Sequence, residues 1–210
     1  MRRIRDLDAT EIRILGALFE KEQATPEYYP LTVNALLAAC NQKSNREPVT
    51  ELTETEVVEA LDALRRDALA WRSEGARSER WSQSISRRLE LDPGEKAVLA
   101  LLMLRGPQTV GELRSRSGRL HTFEGLAEVE AALERLSASD RELTLELPRR
   151  PGQKESRWTH LLGGSVEIAE EEKGSAAAPT RAAGGLAERV ERLEERVRAL
   201  EDQLNNRVLK

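Results

Sequence analysis

The feature that most constrains this chain is an internal duplication of a helix-starting phrase. Residues 7–18 return in similar form as residues 91–102, and in each copy an Asp is followed three positions later by a Glu. An Asp cap with a Glu at the third helical position satisfies two free backbone N–H groups at a helix start. Both phrases therefore predict the beginning of an α-helix.

The duplication continues beyond these first helices. Residues 32–36 match residues 109–113, with a Thr at each cap position, and predict the second helix of each copy. Residues 56–64 align with residues 128–136, with apolar residues at helical spacing, and predict the third. Alternating segments around a Gly-containing loop then predict a β-hairpin in each copy, with Arg-Trp repeated in its second strand.

Three helices followed by a hairpin is the plan of the winged helix-turn-helix, and its recurrence makes coincidence less credible. We expect a mainly α fold with small β-hairpins (α+β), made of two tandem winged helix-turn-helix domains plus a C-terminal coiled-coil helix. The first domain covers residues 1–88 and the second residues 89–164. We expect Trp81 and Trp158 to cover the end of each helical core from the hairpin.

The C-terminal part of the chain changes character. Residues 165–185 are rich in Gly, Ser, Ala and Glu and predict a flexible linker. Residues 186–210 carry a heptad seam that predicts a coiled coil, formed by Leu186, Val190, Leu193, Val197, Leu200 and Leu204. A parallel homodimer through this coil is the favoured interpretation, and a helix folded back on its own domain is the alternative.

The third helices do not carry the positive charge that is typical of helices that bind duplex DNA. The predicted outer face of the first comprises Thr55, Glu59, Asp62 and Arg66, flanked by Glu54 and Glu56. The second presents Ala127, Ala131, Glu134 and Ala138, with Glu128 and Glu130 nearby. Acidic side chains repel a phosphate backbone, and the chain as a whole carries a net charge of −4. DNA contacts would have to come from other elements.

Basic residues on the predicted hairpins, the second helix of copy two and one loop supply those contacts. The candidates for nucleic-acid or partner contact are Lys43, Arg46, Arg72, Arg77, Arg80, Arg114, Arg116, Arg119, Arg149, Arg150, Lys154 and Arg157. The competing interpretation, weighed equally, is that they are solvated or pair with the abundant Glu residues.

The sequence offers no reaction centre. The single cysteine, Cys40, lies in an apolar run and is expected to be a buried, inert thiol. His121 and His160 fall in different elements without a partner at ligand spacing, so each is expected to be a hydrogen-bonded structural residue. We expect no catalytic, cofactor or metal site and no enzyme. Without a signal-like or membrane-spanning segment, we expect a cytoplasmic protein.

Several long motifs resemble those of the bacterial YceH-like proteins. They lie in residues 25–32, 41–49, 104–109, 147–152 and 160–162. The resemblance implies a tandem winged-helix fold in a bacterial cytosolic protein, and implies no activity, cofactor or catalytic residue. It directs attention to the polar segments 41–49 and 147–152.

These observations lead to one functional expectation and one alternative. We expect a non-enzymatic, dimeric binding protein with a DNA-associated regulatory role, exercised through basic wings and the loop from Lys43 to Arg46. The alternative is a protein-interaction scaffold, like the winged-helix subunit that braces bacterial chromosome-condensing complexes, in which the acidic third helices meet a protein partner.

Overall fold

A computed structural model describes residues 4–74, 78–138, 140–149 and 152–164. Every described residue belongs to one compact unit, which lies within Met1–Ile168. The predicted linker and coiled coil therefore lie outside the described residues. The coil positions concerned are Leu186, Val190, Leu193, Val197, Leu200 and Leu204.

Both repeats follow the expected order of three helices and a hairpin. The first consists of α1 (Ala9–Ala24), a 3₁₀ turn (Pro26–Tyr28), α2 (Val33–Cys40), α3 (Glu54–Arg66), β1 (Ala70–Glu74) and β2 (Glu79–Gln83). A short helix, α4 (Ile85–Arg88), leads into the second repeat. That repeat consists of α5 (Pro93–Arg105), α6 (Val110–Ser117), α7 (Leu126–Ser137), β3 (Thr144–Leu147) and β4 (Arg157–His160). Within the described residues the fold is thus mixed α/β, with two small antiparallel sheets.

The helix starts form as the sequence predicted. Asp8 and Asp92 each accept a hydrogen bond from the backbone N–H of the Glu three residues later, at 2.8 Å, and that Glu bonds back to the cap. The two glutamates, Glu11 and Glu95, are buried and meet arginines from other segments. The hydrogen bond from Arg5 lowers the pKa of Glu11 below its usual value.

Each hairpin is joined to the start of its second helix through a tryptophan. Trp81 exchanges two backbone hydrogen bonds with Leu31, at 2.7 and 3.0 Å, and Trp158 does the same with Gln108, at 2.8 and 3.0 Å. Trp81 is buried and Trp158 is half-buried against the core. This confirms the prediction that both tryptophans cover the core from the hairpin.

The first helices of the two repeats pack against each other. The Gln23 amide near the end of α1 donates to the carbonyl of Pro93 at the start of α5, at 2.8 Å, so the two helices run antiparallel. A methyl group on Gly16 would lie 3.0 Å from Cβ of Met103 and from Cγ of Leu104. Glycine is therefore required for this close approach, and one continuous apolar core spans both repeats.

Two backbone contacts reinforce the union of the repeats. The N–H of Leu7 donates to the carbonyl of Leu162 at 2.8 Å, which ties the entry to α1 to the end of the second hairpin. The N–H of Glu47 donates to the carbonyl of Leu104 at 2.8 Å, so the polar loop 41–49 covers the end of α5. The nearby Arg105 side chain also donates to Asn45. Two motifs that are distant in the sequence therefore meet here.

Replacing Gly16 with Val should destabilise the protein by about 2–3 kcal/mol, because the branched side chain forces α1 away from α5. Gly111→Val is the matched control, since a Cβ at this exposed helical position meets only Thr109 Oγ1, at 3.8 Å. We expect the control to change the free energy of unfolding by no more than about 0.5 kcal/mol. Urea unfolding of both variants is the measurement, and equal losses would contradict the proposed helix contact.

Candidate partner-binding surface

The arginine of the repeated Arg-Trp pair has the same contact in both repeats. Arg80 Nη1 donates to the carbonyl of Pro30 at 2.9 Å, and Arg157 Nη1 donates to the carbonyl of Pro107 at 2.8 Å. Each proline directly precedes the residue that forms a backbone bridge with the tryptophan of the pair. These bridges are Leu31 with Trp81 and Gln108 with Trp158. The pair therefore fastens the hairpin to the strand-like entry of the second helix, which is a structural reason for its repetition.

Arg46 is not on the surface. Its side chain is buried, Nη2 lies 2.6 Å from the Glu20 carboxylate, and Nε donates to the carbonyl of Ala39 at 3.0 Å. The guanidinium holds the loop 41–49 against α1 and α2. We therefore correct the expectation for this residue: Arg46 is an internal anchor, and its charge is already neutralised.

Three further candidates form ion pairs with carboxylates. Glu112 on α6 receives both Arg116, at 3.3 Å, and Arg157, at 2.9 Å. Arg72 pairs across the first hairpin with Glu79 at 2.9 Å. Each ion pair reduces the positive charge that could attract a phosphate, and the two arginines on Glu112 together keep one net positive charge. This is the outcome that the competing interpretation of the basic residues predicts.

Six candidates keep an exposed charge, and we call them the open cations. Among the described residues, the side chains of Arg80 and Arg114 bind only the backbone carbonyls of Pro30 and Glu124, which do not neutralise a guanidinium. The other four form no hydrogen bond or ion pair with the residues that the structure describes. The open cations are Lys43, Arg80, Arg114, Arg119, Arg149 and Lys154. Arg77 and Arg150 lie outside the described residues.

The third helices, α3 and α7, bury and expose the faces that the sequence predicted. In α3, Val57, Leu61 and Leu64 are buried, whereas Thr55, Glu59 and Arg66 are exposed and Asp62 is partly exposed. In α7, Val129, Leu133 and Leu136 are buried, and Ala127, Glu134 and Ala138 are exposed. Val58 also emerges on α3, among Glu54, Glu59 and Asp62. The outer surfaces of both helices are thus acidic or small.

An exposed tryptophan beside a cleft was not among the residues predicted from the sequence. Trp71 on β1 is 65% exposed and pairs across the hairpin with Ser82. The cleft, of about 440 Å³, is lined by Glu22, Trp71, Ser82, Gln83, Ser84, Ser86 and Arg87. We call it the Trp71 cleft. Strand alternation was the available signal: since Trp81 faces inward, its neighbour Ser82 and the opposing Trp71 must face outward.

The cysteine and the histidines have no arrangement suited to catalysis. Cys40 is buried as expected, and burial raises the pKa of its thiol to about 12. Burial lowers the pKa of His160 to about 4, and its Nδ1 has no hydrogen-bond partner among the described residues, so the expected bond is missing there. His121 meets the Phe123 ring edge-on, with ring centroids 4.6 Å apart.

Two further observations concern the described part of the chain. It contains no group of three or more His, Cys, Asp or Glu side chains arranged to hold a metal ion. None of its helices combines the length and apolar character needed to cross a bilayer.

Fold and surface together define a protein of two helix-and-hairpin repeats that share one core and expose charged faces. The chain belongs to the family whose model is described as "Protein of unknown function, DUF480", which matches residues 7–153. This confirms the resemblance to an uncharacterised bacterial family.

Similar proteins span most of the chain. A UPF0502 protein of Geobacter sulfurreducens is 52% identical over 168 residues, covering 80% of this chain and 77% of its own. A UPF0502 protein of Pseudomonas fluorescens is 47% identical over 203 residues, covering 94% and 92%. The names of these relatives assign no activity.

Two arginines of the second hairpin should respond differently to truncation. Arg157→Ala removes bonds to Pro107 and Glu112 and, for a partly exposed side chain, should cost about 1 kcal/mol. Arg149→Ala removes an exposed side chain without a described partner and should stay within about 0.5 kcal/mol of the wild type. The free energies of unfolding of both variants and the wild type, measured in urea, test this difference. A larger loss for Arg149 would refute this division into anchoring and open arginines.

Proposed function

We propose that this chain is a non-enzymatic, cytoplasmic nucleic-acid-binding protein in which each repeat is a winged-helix module. The observation that carries the proposal is the set of six open cations, four of which lie on α6, β2 or the second hairpin with its loop. In winged-helix proteins these regions flank bound DNA. Their exposed positive charges can be satisfied by phosphate oxygens.

The acidic third helices determine the form of this binding. The outer surfaces of α3 and α7 carry Glu59, Asp62 and Glu134. A conventional recognition helix would offer hydrogen-bond donors to the bases from these surfaces. A duplex approaching these helices meets like charge. The hairpins and α6 therefore make the phosphate contacts, and we expect binding that depends strongly on salt and weakly on duplex sequence.

The test is duplex DNA affinity measured as a function of salt, for the wild type and for Arg149→Ala/Lys154→Ala. If each side chain contacts one phosphate, the double variant should lower the slope of log K against log salt by about 2. Lys21→Ala/Lys96→Ala is the charge-matched control, because these lysines lie on α1 and α5 beside Glu20 and Glu22. Absence of duplex binding at low salt, or equal losses in the two double variants, contradicts the proposal.

A protein partner is the second candidate, and the surface of α3 favours it. Val58 is 38% exposed among Glu54, Glu59 and Asp62, an apolar centre with an acidic rim. Such a surface complements a basic, amphipathic segment of another protein. If duplex binding fails while Glu59→Lys/Asp62→Lys abolishes capture of a specific protein, the scaffold interpretation replaces the nucleic-acid one.

We propose further that residues 186–210 join two copies of the chain through a parallel coiled coil. The heptad seam supports this, and Arg189 and Arg196 at g precede Glu194 and Glu201 at the following e positions of the partner helix. Two copies would double the cations available to one nucleic acid.

Sedimentation equilibrium of the full chain and of a chain ending at Gly185 tests the coil. We expect a dimer for the full chain and a monomer for the shortened one, because the shortened chain lacks the whole heptad seam. A dimer that persists after the truncation, or a full chain that is monomeric, would contradict dimerisation through the coil.

A further inference from the structure

The exposure of Trp71 is not explained by packing. The other two tryptophans bridge their hairpins to the second helices, but Trp71 projects from the opposite face of its hairpin. Its cross-strand neighbour is Ser82, which offers little apolar surface to cover an indole. A large aromatic side chain left 65% exposed beside a cleft is a feature of recognition surfaces.

The base of the Trp71 cleft is held rigidly by hydrogen bonds. Gln83 Nε2 donates to Glu22 at 2.6 Å and to Ser86 Oγ at 2.7 Å, and the Ser86 N–H donates to Gln83 Oε1 at 2.9 Å. Lys96 lies 3.7 Å from the other carboxylate oxygen of Glu22. The charge of Glu22 is thus partly compensated, and a ligand would meet a preorganised base beneath the indole.

One arginine lines the cleft, and a second lies on the same face of the hairpin. Arg87 lines the cleft and is exposed, and its side chain forms no hydrogen bond or ion pair with a described residue. Arg80 lies on the same face of the hairpin as Trp71, two cross-strand pairs away, and among the described residues its side chain binds only a carbonyl. Residues 65–88 hold seven arginines and three acidic residues, although the whole chain is net negative. The segment that carries Trp71 is therefore net positive in sequence, and Arg87 brings one of these positive charges to the lining of the cleft.

We propose that the Trp71 cleft binds an unpaired base of a nucleic-acid strand, stacked on the indole, with the neighbouring phosphates at Arg80 and Arg87. An aromatic platform within a cationic surface is the usual chemistry of single-strand binding. A volume of about 440 Å³ is within the range of small-ligand sites. The inference deepens the proposed nucleic-acid function, because a fully paired duplex has no base free to stack.

A fluorescence titration of the full chain with a short oligothymidylate tests this site. Because Trp71 is the most exposed of the three tryptophans, stacking should quench the emission on binding. By anisotropy of a labelled strand, Trp71→Ala should bind about 5- to 100-fold more weakly, and Trp71→Phe should recover part of the loss. Arg87→Ala should lower the salt slope by about 0.7.

Leu126→Ala is the matched control, since Leu126 is another exposed apolar side chain, 50% accessible, but lies on α7. It should bind the oligothymidylate like the wild type. Duplex affinity should be the same for Trp71→Ala and the wild type, which separates this site from the open cations of the second hairpin. Unchanged thermal melting of Trp71→Ala shows that the variant is folded.

The outcomes distinguish this inference from the proposed function. If duplex DNA binds as proposed but Trp71→Ala keeps wild-type affinity for the single strand, the cleft assignment is overturned and the wider function stands. If neither form of DNA binds, both are overturned. If Trp71→Ala abolishes capture of a protein while oligothymidylate binding is unaffected, the cleft is a protein-docking site and the inference is wrong.

Discussion

The close packing of α1 against α5 is the contact on which the rest of the structure depends. Because Gly16 has no side chain, Met103 and Leu104 of α5 can lie against the backbone of α1 where a Cβ would otherwise be. Because α1 and α5 are also the central helices of their own repeats, their contact fuses two small cores into one. A larger shared core buries a greater fraction of apolar surface than two separate ones. The two hairpins are thereby carried on one body.

A second repeated device positions the hairpins. In each repeat an arginine donates a hydrogen bond to a proline carbonyl, Arg80 to Pro30 and Arg157 to Pro107. The tryptophan after the arginine exchanges backbone hydrogen bonds with the residue after the proline. Rigid attachment matters for a surface that acts through charge, because a phosphate contact is weakened when the cation must first be ordered. The arginine of each pair is thus fixed in place, and one of them, Arg80, keeps an exposed charge.

Local sequence signals predicted much of this architecture. The capping pairs Asp8 with Glu11 and Asp92 with Glu95 marked helix starts because their interactions lie within one helical turn. The burial of Val57 and the exposure of Glu59 followed from helical periodicity. Arg46 was misplaced because its partner, Glu20, is distant in sequence and no local pattern reveals a long-range ion pair. Trp71 was overlooked because a strand's outward face depends on its register with the neighbouring strand.

We propose that nucleic acid contacts the hairpins and α6 and does not contact the third helices. Amide hydrogen exchange, measured with and without a short duplex at low salt, tests this proposal. We expect slower exchange in β1–β2, β3–β4 and α6 on binding, with α3 and α7 unchanged. Protection confined to α3 and α7 would contradict it, because those acidic helices would then be the binding surface.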